Sequence, residues 1–137
     1  MNYKIKITKK KITLENINNA TKNKSGAIVS FIGLIREINN NKPVKYIKYL
    51  VFKKLFINIF EKKCINLLKN KINANIYITQ YNGLLKINEI NSIIIATANN
   101  RKDAFYICKD LVETLKYNTP VWKKEFYNDG TYKWINA

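Results

Sequence analysis

Pro120 fixes the shape of the most informative stretch of this chain, Leu115-Lys116-Tyr117-Asn118-Thr119-Pro120-Val121-Trp122-Lys123-Lys124-Glu125. Proline has no N–H to give a helix and drives the residue before it toward extended geometry. A helix that runs into it must stop, and the chain beyond it must be extended. Lys116 therefore sits in a last helical turn and Lys123 on a short strand past the proline. The turn between them is fixed, so two ammonium groups can flank one anionic or carbonyl-bearing ligand.

The helix that Pro120 ends is the clearest in the chain, over 101–117. Ala104, Cys108, Leu111 and Leu115 make one stripe, flanked by Phe105 and Val112. Asn100 is its N-cap and Asp103 its third residue, a variant of the capping box. A second helix is expected over 53–70, from Phe56, Ile59, Phe60, Cys64, Leu67 and Leu68. A short one is expected over 13–20, capped by Thr13.

Strands are expected over 3–8, 26–33, 44–52, 74–81, 92–97, 121–126 and 131–135. Strand 26–33 reads as mostly buried. Asn82-Gly83 reads as a turn, 37–42 as a loop, and Asn128-Asp129-Gly130 as the tip of a terminal hairpin. Strands and helices do not alternate regularly, so the class is α+β. Its two long helices would pack on a mixed, largely antiparallel sheet. One domain over residues 1–137 is expected, with no repeat and no linker.

Composition narrows the chemistry. The formal net charge is +16 and there is no histidine. Ser-His-Asp catalysis and His-ligated metals are thus excluded, and Cys64 and Cys108 read as core side chains rather than ligands. The four glycines do not cluster, so there is no phosphate loop. No apolar run is long enough to span a bilayer. The strict alternation from Met1 to Lys6 is unlike a signal peptide, and a cytoplasmic protein is expected.

The charge invites a nucleic-acid reading. It is weakened because the lysines are spread evenly and fit a drift toward A- and T-rich codons. Arg36 and Arg101 are the only arginines, and arginine is the usual bidentate phosphate ligand. Arg36 follows strand 26–33 at the start of a loop. Arg101 opens a helix, where a cation opposes the dipole unless an anion is bound. Lys116, in the last turn, suits the dipole by itself. Either Trp122 or Lys123 faces inward. A partly desolvated lysine beside other cations has a lowered pKa and can exchange protons or hold an oxyanion. Arg101 and Lys116 are about 22 Å apart along one helix. They serve different sites, or one pocket shared between two subunits.

Three motifs together resemble the large, catalytic subunit of molybdopterin synthase. Gly26-Ala27-Ile28-Val29-Ser30-Phe31-Ile32-Gly33-Leu34-Ile35-Arg36 is similar to that family's G-A-x-V-x-F-x-G-x-x-R. Asn100-Arg101 with Ala104-Phe105 is similar to its H-R-x-x-A-F, with Asn100 in place of histidine. Leu115-Lys116 through Pro120, Trp122-Lys123 and Glu125 is similar to its L-K-x-x-x-P-x-W-K-x-E.

The resemblance implies an α/β-hammerhead-like fold and a sulfurtransferase. The enzyme would convert cyclic pyranopterin monophosphate to the molybdopterin dithiolene, without a cofactor or metal of its own. It implies a ubiquitin-like small subunit with a C-terminal Gly-Gly thiocarboxylate, and a heterotetramer around a dimer of large subunits. By motif position it implies that Lys116 and Lys123 are catalytic. Leu34, Ile35, Arg36, Lys124 and Glu125 would line the substrate site, and Asn100 and Arg101 would reach it from the neighbouring large subunit. Asparagine can donate a hydrogen bond but does not titrate near neutral pH. Tyr49-Leu50-Val51 lacks the family's usual glutamate. The alternatives are a non-catalytic basic module for RNA or an anionic surface, or a degenerate subunit on the same scaffold.

Overall fold

The computed structural model describes residues 2–15, 24–39, 41–117 and 120–136. Its elements run β1 (Tyr3–Thr8), β2 (Ala27–Leu34), β3 (Ile38–Asn39), β4 (Lys42–Val51), α1 (Lys53–Leu68), β5 (Asn75–Tyr81), β6 (Gly83–Lys86), β7 (Ile90–Ala98), α2 (Arg101–Tyr117), β8 (Val121–Tyr127) and β9 (Tyr132–Asn136). The four-stranded sheet has the order β1-β5-β7-β2. Only β1 and β5 pair in parallel; the β5–β7 and β7–β2 pairs are antiparallel. The second sheet runs β3-β4-β8-β9, with β6 also on β4, and is antiparallel throughout. The expected α+β class with two long helices on mixed, largely antiparallel sheet is what folds.

Both helices form where their apolar stripes require. Phe56, Phe60, Cys64 and Leu67 are the buried face of α1, and Ala104, Ile107, Cys108, Leu111 and Thr114 that of α2. Asn100 caps α2: its Oδ1 accepts from the Asp103 backbone N–H at 2.9 Å, and its Nδ2 donates to the Asp103 carboxylate at 3.2 Å. α2 packs across β7 and β2. Burial pushes the Cys64 thiol up to about 12 and the Cys108 thiol to about 11, as inert core cysteines should show. Among the described residues no helix is long and apolar enough to cross a membrane.

Three expectations change, and a fourth is not reached. β2 is the edge of its sheet, and Ile28 and Ser30 face outward, so the strand is half-buried rather than mostly buried. Residues 37–42 are not an open loop: β3 pairs with the start of β4, with Asn41 left-handed at φ 60°. Asparagine tolerates that region better than other residues with a Cβ. Asn70, Asn73 and Asn88 do the same, so the asparagine bias supplies turn positions. β6 was not expected, because Asn82-Gly83 read only as a turn. Most of the helix expected over 13–20 lies outside the described residues.

Candidate functional site

Where α2 ends, its last turn meets the inner face of the second sheet. Pro120 leads into β8, and its carbonyl accepts from the Phe52 N–H at 3.1 Å, which ties the start of β8 to the end of β4. In the β4–β8 ladder Val51 lies opposite Val121, Tyr49 opposite Lys123 and Ile47 opposite Glu125. Opposed residues share a face. Lys123 and Glu125 therefore project inward beside Tyr49, while Trp122 stays exposed.

These side chains wall a cavity of about 390 Å³ with Leu34, Ile35, Arg36, Asn39, Asn91, Lys116, Tyr117 and Ile135. A second cavity of similar volume adjoins it. The two share Leu34, Arg36, Tyr49, Asn91, Lys116 and Lys123, and the second is otherwise largely apolar, with Phe31, Val112, Leu115 and Val121. The cations thus stand between a polar chamber and an apolar one.

In the polar chamber, Arg36, Lys116 and Lys123 face a single carboxylate, Glu125. The excess of positive charge suits an anionic ligand. Lys123 is half-buried, and its pKa is lowered from the ordinary lysine value, chiefly by burial, with Arg36 and Lys116 adding to the effect. Glu125 pulls the other way. Glu125 is 1 % exposed; its Oε1 accepts from Asn39 Nδ2 at 2.5 Å, while Oε2 has no hydrogen-bond partner among the described residues. A buried carboxylate with a free oxygen is costly unless nearby cations or a ligand compensate it. Exchange of that carboxylate for an amide removes the one influence that raises the Lys123 pKa. Glu125→Gln is expected to move Lys123 titration further toward acid, read by NMR of labelled lysine side chains; an unmoved or alkaline-shifted titration would contradict this electrostatic balance.

Of the residues singled out by sequence, Leu34, Ile35, Arg36, Lys116, Lys123 and Glu125 come together here. Lys124 does not. It alternates onto the outer face of the sheet, where its Nζ lies 4.1 Å from the Tyr132 ring centroid, 5.1 Å from Phe126 and 5.3 Å from Trp134. Asn100 and Arg101 do not reach the cavity either. They lie at the far end of α2, in an open depression with Gly26, Ala27 and Asn99. The helix length keeps the two places apart within one chain, as its rise demands. Asn39, Tyr49 and Asn91 were missed. Alternation with Ile47 and Val51 was a usable signal for Tyr49. Asn39 and Asn91 gave none, because their placement depends on a hairpin and on a bulge.

Fold and cavity define an α+β protein with a cation-lined cleft where a helix end meets an antiparallel sheet. The chain belongs to the MoaE protein family, whose model matches residues 7–118. The family read from the three motifs is therefore the right one. The chain is 31 % identical to the molybdopterin synthase catalytic subunit of Bacillus subtilis over 133 residues, covering 96 % of this chain and 84 % of that one. The crystal structure of molybdopterin synthase from Staphylococcus aureus superposes with a TM-score of 0.87 at 25 % identity, over 97 % of both chains. A complex of subunits 1 and 2 of molybdopterin-converting factor from Helicobacter pylori has the same fold. Its TM-score is 0.78 at 22 % identity, over 97 % of this chain and 89 % of that one.

Proposed function

We propose that this chain is a molybdopterin synthase catalytic subunit, a sulfurtransferase that acts in the cytoplasm. It takes sulfur from the C-terminal thiocarboxylate of a ubiquitin-like small subunit and delivers it to cyclic pyranopterin monophosphate, building the dithiolene of molybdopterin. The observation that carries this reading is the convergence of three cations on one cavity: Arg36 from the β2–β3 loop, Lys116 from the end of α2 and Lys123 from β8. The names of the relatives in Bacillus subtilis and Staphylococcus aureus support it. The two-subunit complex from Helicobacter pylori supports a small-subunit partner.

In this reading the adjoining chambers divide the work. The apolar chamber takes an extended peptide tail without charged side chains. The polar chamber takes the phosphate-bearing pterin. Lys116 and Lys123 stand where the two meet and polarise the thiocarboxylate. Lys123, whose charged form is disfavoured by burial and by neighbouring cations, moves protons at the pterin. Leu34, Ile35 and Glu125 shape the wall. Asn100 and Arg101 of a second large subunit complete the site across a homodimer, with a small subunit on each side making the heterotetramer. Lys124 is left out of this machinery.

The test is reconstitution with the pterin substrate and a thiocarboxylated small subunit, followed by a dithiolene assay. The wild-type chain is expected to give product and Lys116→Ala to lose it by about 100-fold or more. No product from wild type, or equal product from Lys116→Ala, would sink the assignment.

A further inference from the structure

The wall shared by the two chambers holds a hydrogen-bonded series with no role so far. It begins at an irregularity. In the β2–β7 ladder Gly33 lies opposite Ser92, but the next residue, Leu34, lies opposite Ile90. Asn91 is therefore the extra residue of a β-bulge. Bulges redirect a side chain out of the ladder's alternation and are common beside active sites. Here the redirected amide lies over Gly33, where a Cβ would overlap the Asn91 side-chain oxygen. Only glycine leaves that space.

The polarity of the series is set by its partners. Ser92 Oγ donates to Asn91 Oδ1 at 2.7 Å. The other end of the amide, Nδ2, donates to the Tyr49 hydroxyl at 3.1 Å. A phenol has one proton to give, and here its oxygen is already occupied as an acceptor. Among the described residues no acceptor takes that proton. Tyr49 is 4 % exposed, lies opposite Lys123 in the ladder, and lines both chambers beside Lys116 and Lys123. Its ring centroid is 5.9 Å from Lys123 Nζ.

We infer that Tyr49 is a further catalytic residue: its hydroxyl, aligned by Asn91, donates a hydrogen bond to the acyl oxygen of the thiocarboxylate held between Lys116 and Lys123. This rests on the function proposed above. Burial raises the Tyr49 phenol to about 12, so the donor keeps its proton across the working range. A neutral donor complements the two lysines. It stabilises charge developing on the acyl oxygen without adding another cation to a wall that already holds Arg36, Lys116 and Lys123.

The experiment uses the reconstituted complex of large and small subunits with the pterin substrate. Tyr49→Phe keeps the ring and its packing and removes only the hydroxyl. It is expected to lower kcat about 10- to 100-fold with KM nearly unchanged, the mark of an interaction made in the transition state. Asn91→Asp tests the direction of the series. A carboxylate accepts the phenol proton and turns it away from the ligand, so this variant should lose a similar factor although the phenol is intact. In the Tyr49→Phe background, Asn91→Asp should then cost little more. Unchanged kcat in Tyr49→Phe, with wild type active and Lys116→Ala inactive, overturns the inference and leaves the functional reading standing. Fully additive losses in the double variant also overturn it. An inactive wild type overturns the functional reading and takes this inference with it.

Discussion

Lys123→Met is expected to abolish sulfur transfer while leaving the protein as stable as wild type, or more so. The methionine keeps the aliphatic stem against Tyr49 and removes the ammonium. Loss of a positioned proton-transfer or oxyanion group costs about 100- to 10,000-fold in rate. The stability half comes from the lowered Lys123 pKa. When a lysine's folded-state pKa lies below its unfolded value, folding is opposed wherever the folded lysine is charged. The opposition fades as pH rises from the folded value toward the ordinary lysine range. The methionine variant is free of it at all pH. Its advantage in thermal unfolding should thus be largest near neutral pH and shrink in alkali. Lys123→Arg should not restore activity, because a guanidinium is larger, forked and never neutral in water. A Lys123→Met protein that unfolds at neutral pH would show that the lysine is structural. One that keeps its rate would remove it from the chemistry.

Phe60→Ala should destabilise the fold by about 3–5 kcal/mol, a large share of the roughly 5–15 kcal/mol that holds a small domain together. Phe60 is fully buried and its ring lies 4.6 Å from that of Phe56, one turn earlier on α1. Truncation removes that contact and leaves a void that dense neighbours fill only in part. Phe60→Leu keeps most of the volume and should cost less than about 1.5 kcal/mol. Urea unfolding reads both, with the midpoint falling and the slope unchanged. Phe60 lines neither chamber, so the folded fraction of Phe60→Ala should retain wild-type turnover at low temperature. A shift of under about 1 kcal/mol would mean that the α1 core repacks freely.

Much of this was legible in the residues, and for identifiable reasons. The bounds of α2 and its cap come from local signals: a stripe at helical spacing, Asn100 with Asp103, and Pro120 beyond the end. The separation of Arg101 from the Lys116 cavity comes from helix rise alone. The alternation of Lys123 with Lys124 was equally local, yet motif position grouped Lys124 with the pocket; the pleat overrules that. What stayed hidden depends on pairing between distant segments. β6 is four residues without regular alternation, and it exists because β4 offers an edge. β3 is two residues inside a polar run. The bulge that exposes Asn91 and the one between Val44 and Tyr46 are mismatches of count between partners, which one strand alone does not carry.

The register of β8 also sets how this protein can change by insertion and deletion. Odd-numbered residues from Val121 to Tyr127 go to the cavity side, and Trp122, Lys124 and Phe126 go out. The strand therefore behaves like a reading frame of two. One residue gained between Pro120 and Trp122 would, with the ladder kept, exchange the phases: Lys123 and Glu125 would leave the chamber and an indole would enter it. Two residues gained would restore the phase and only displace it along the strand. At the Asn128-Asp129-Gly130 tip, by contrast, added length leaves every β8 side chain on its own face. Length variation in relatives that keep the chemistry should thus gather at the tip and be absent, or even in number, before Lys123.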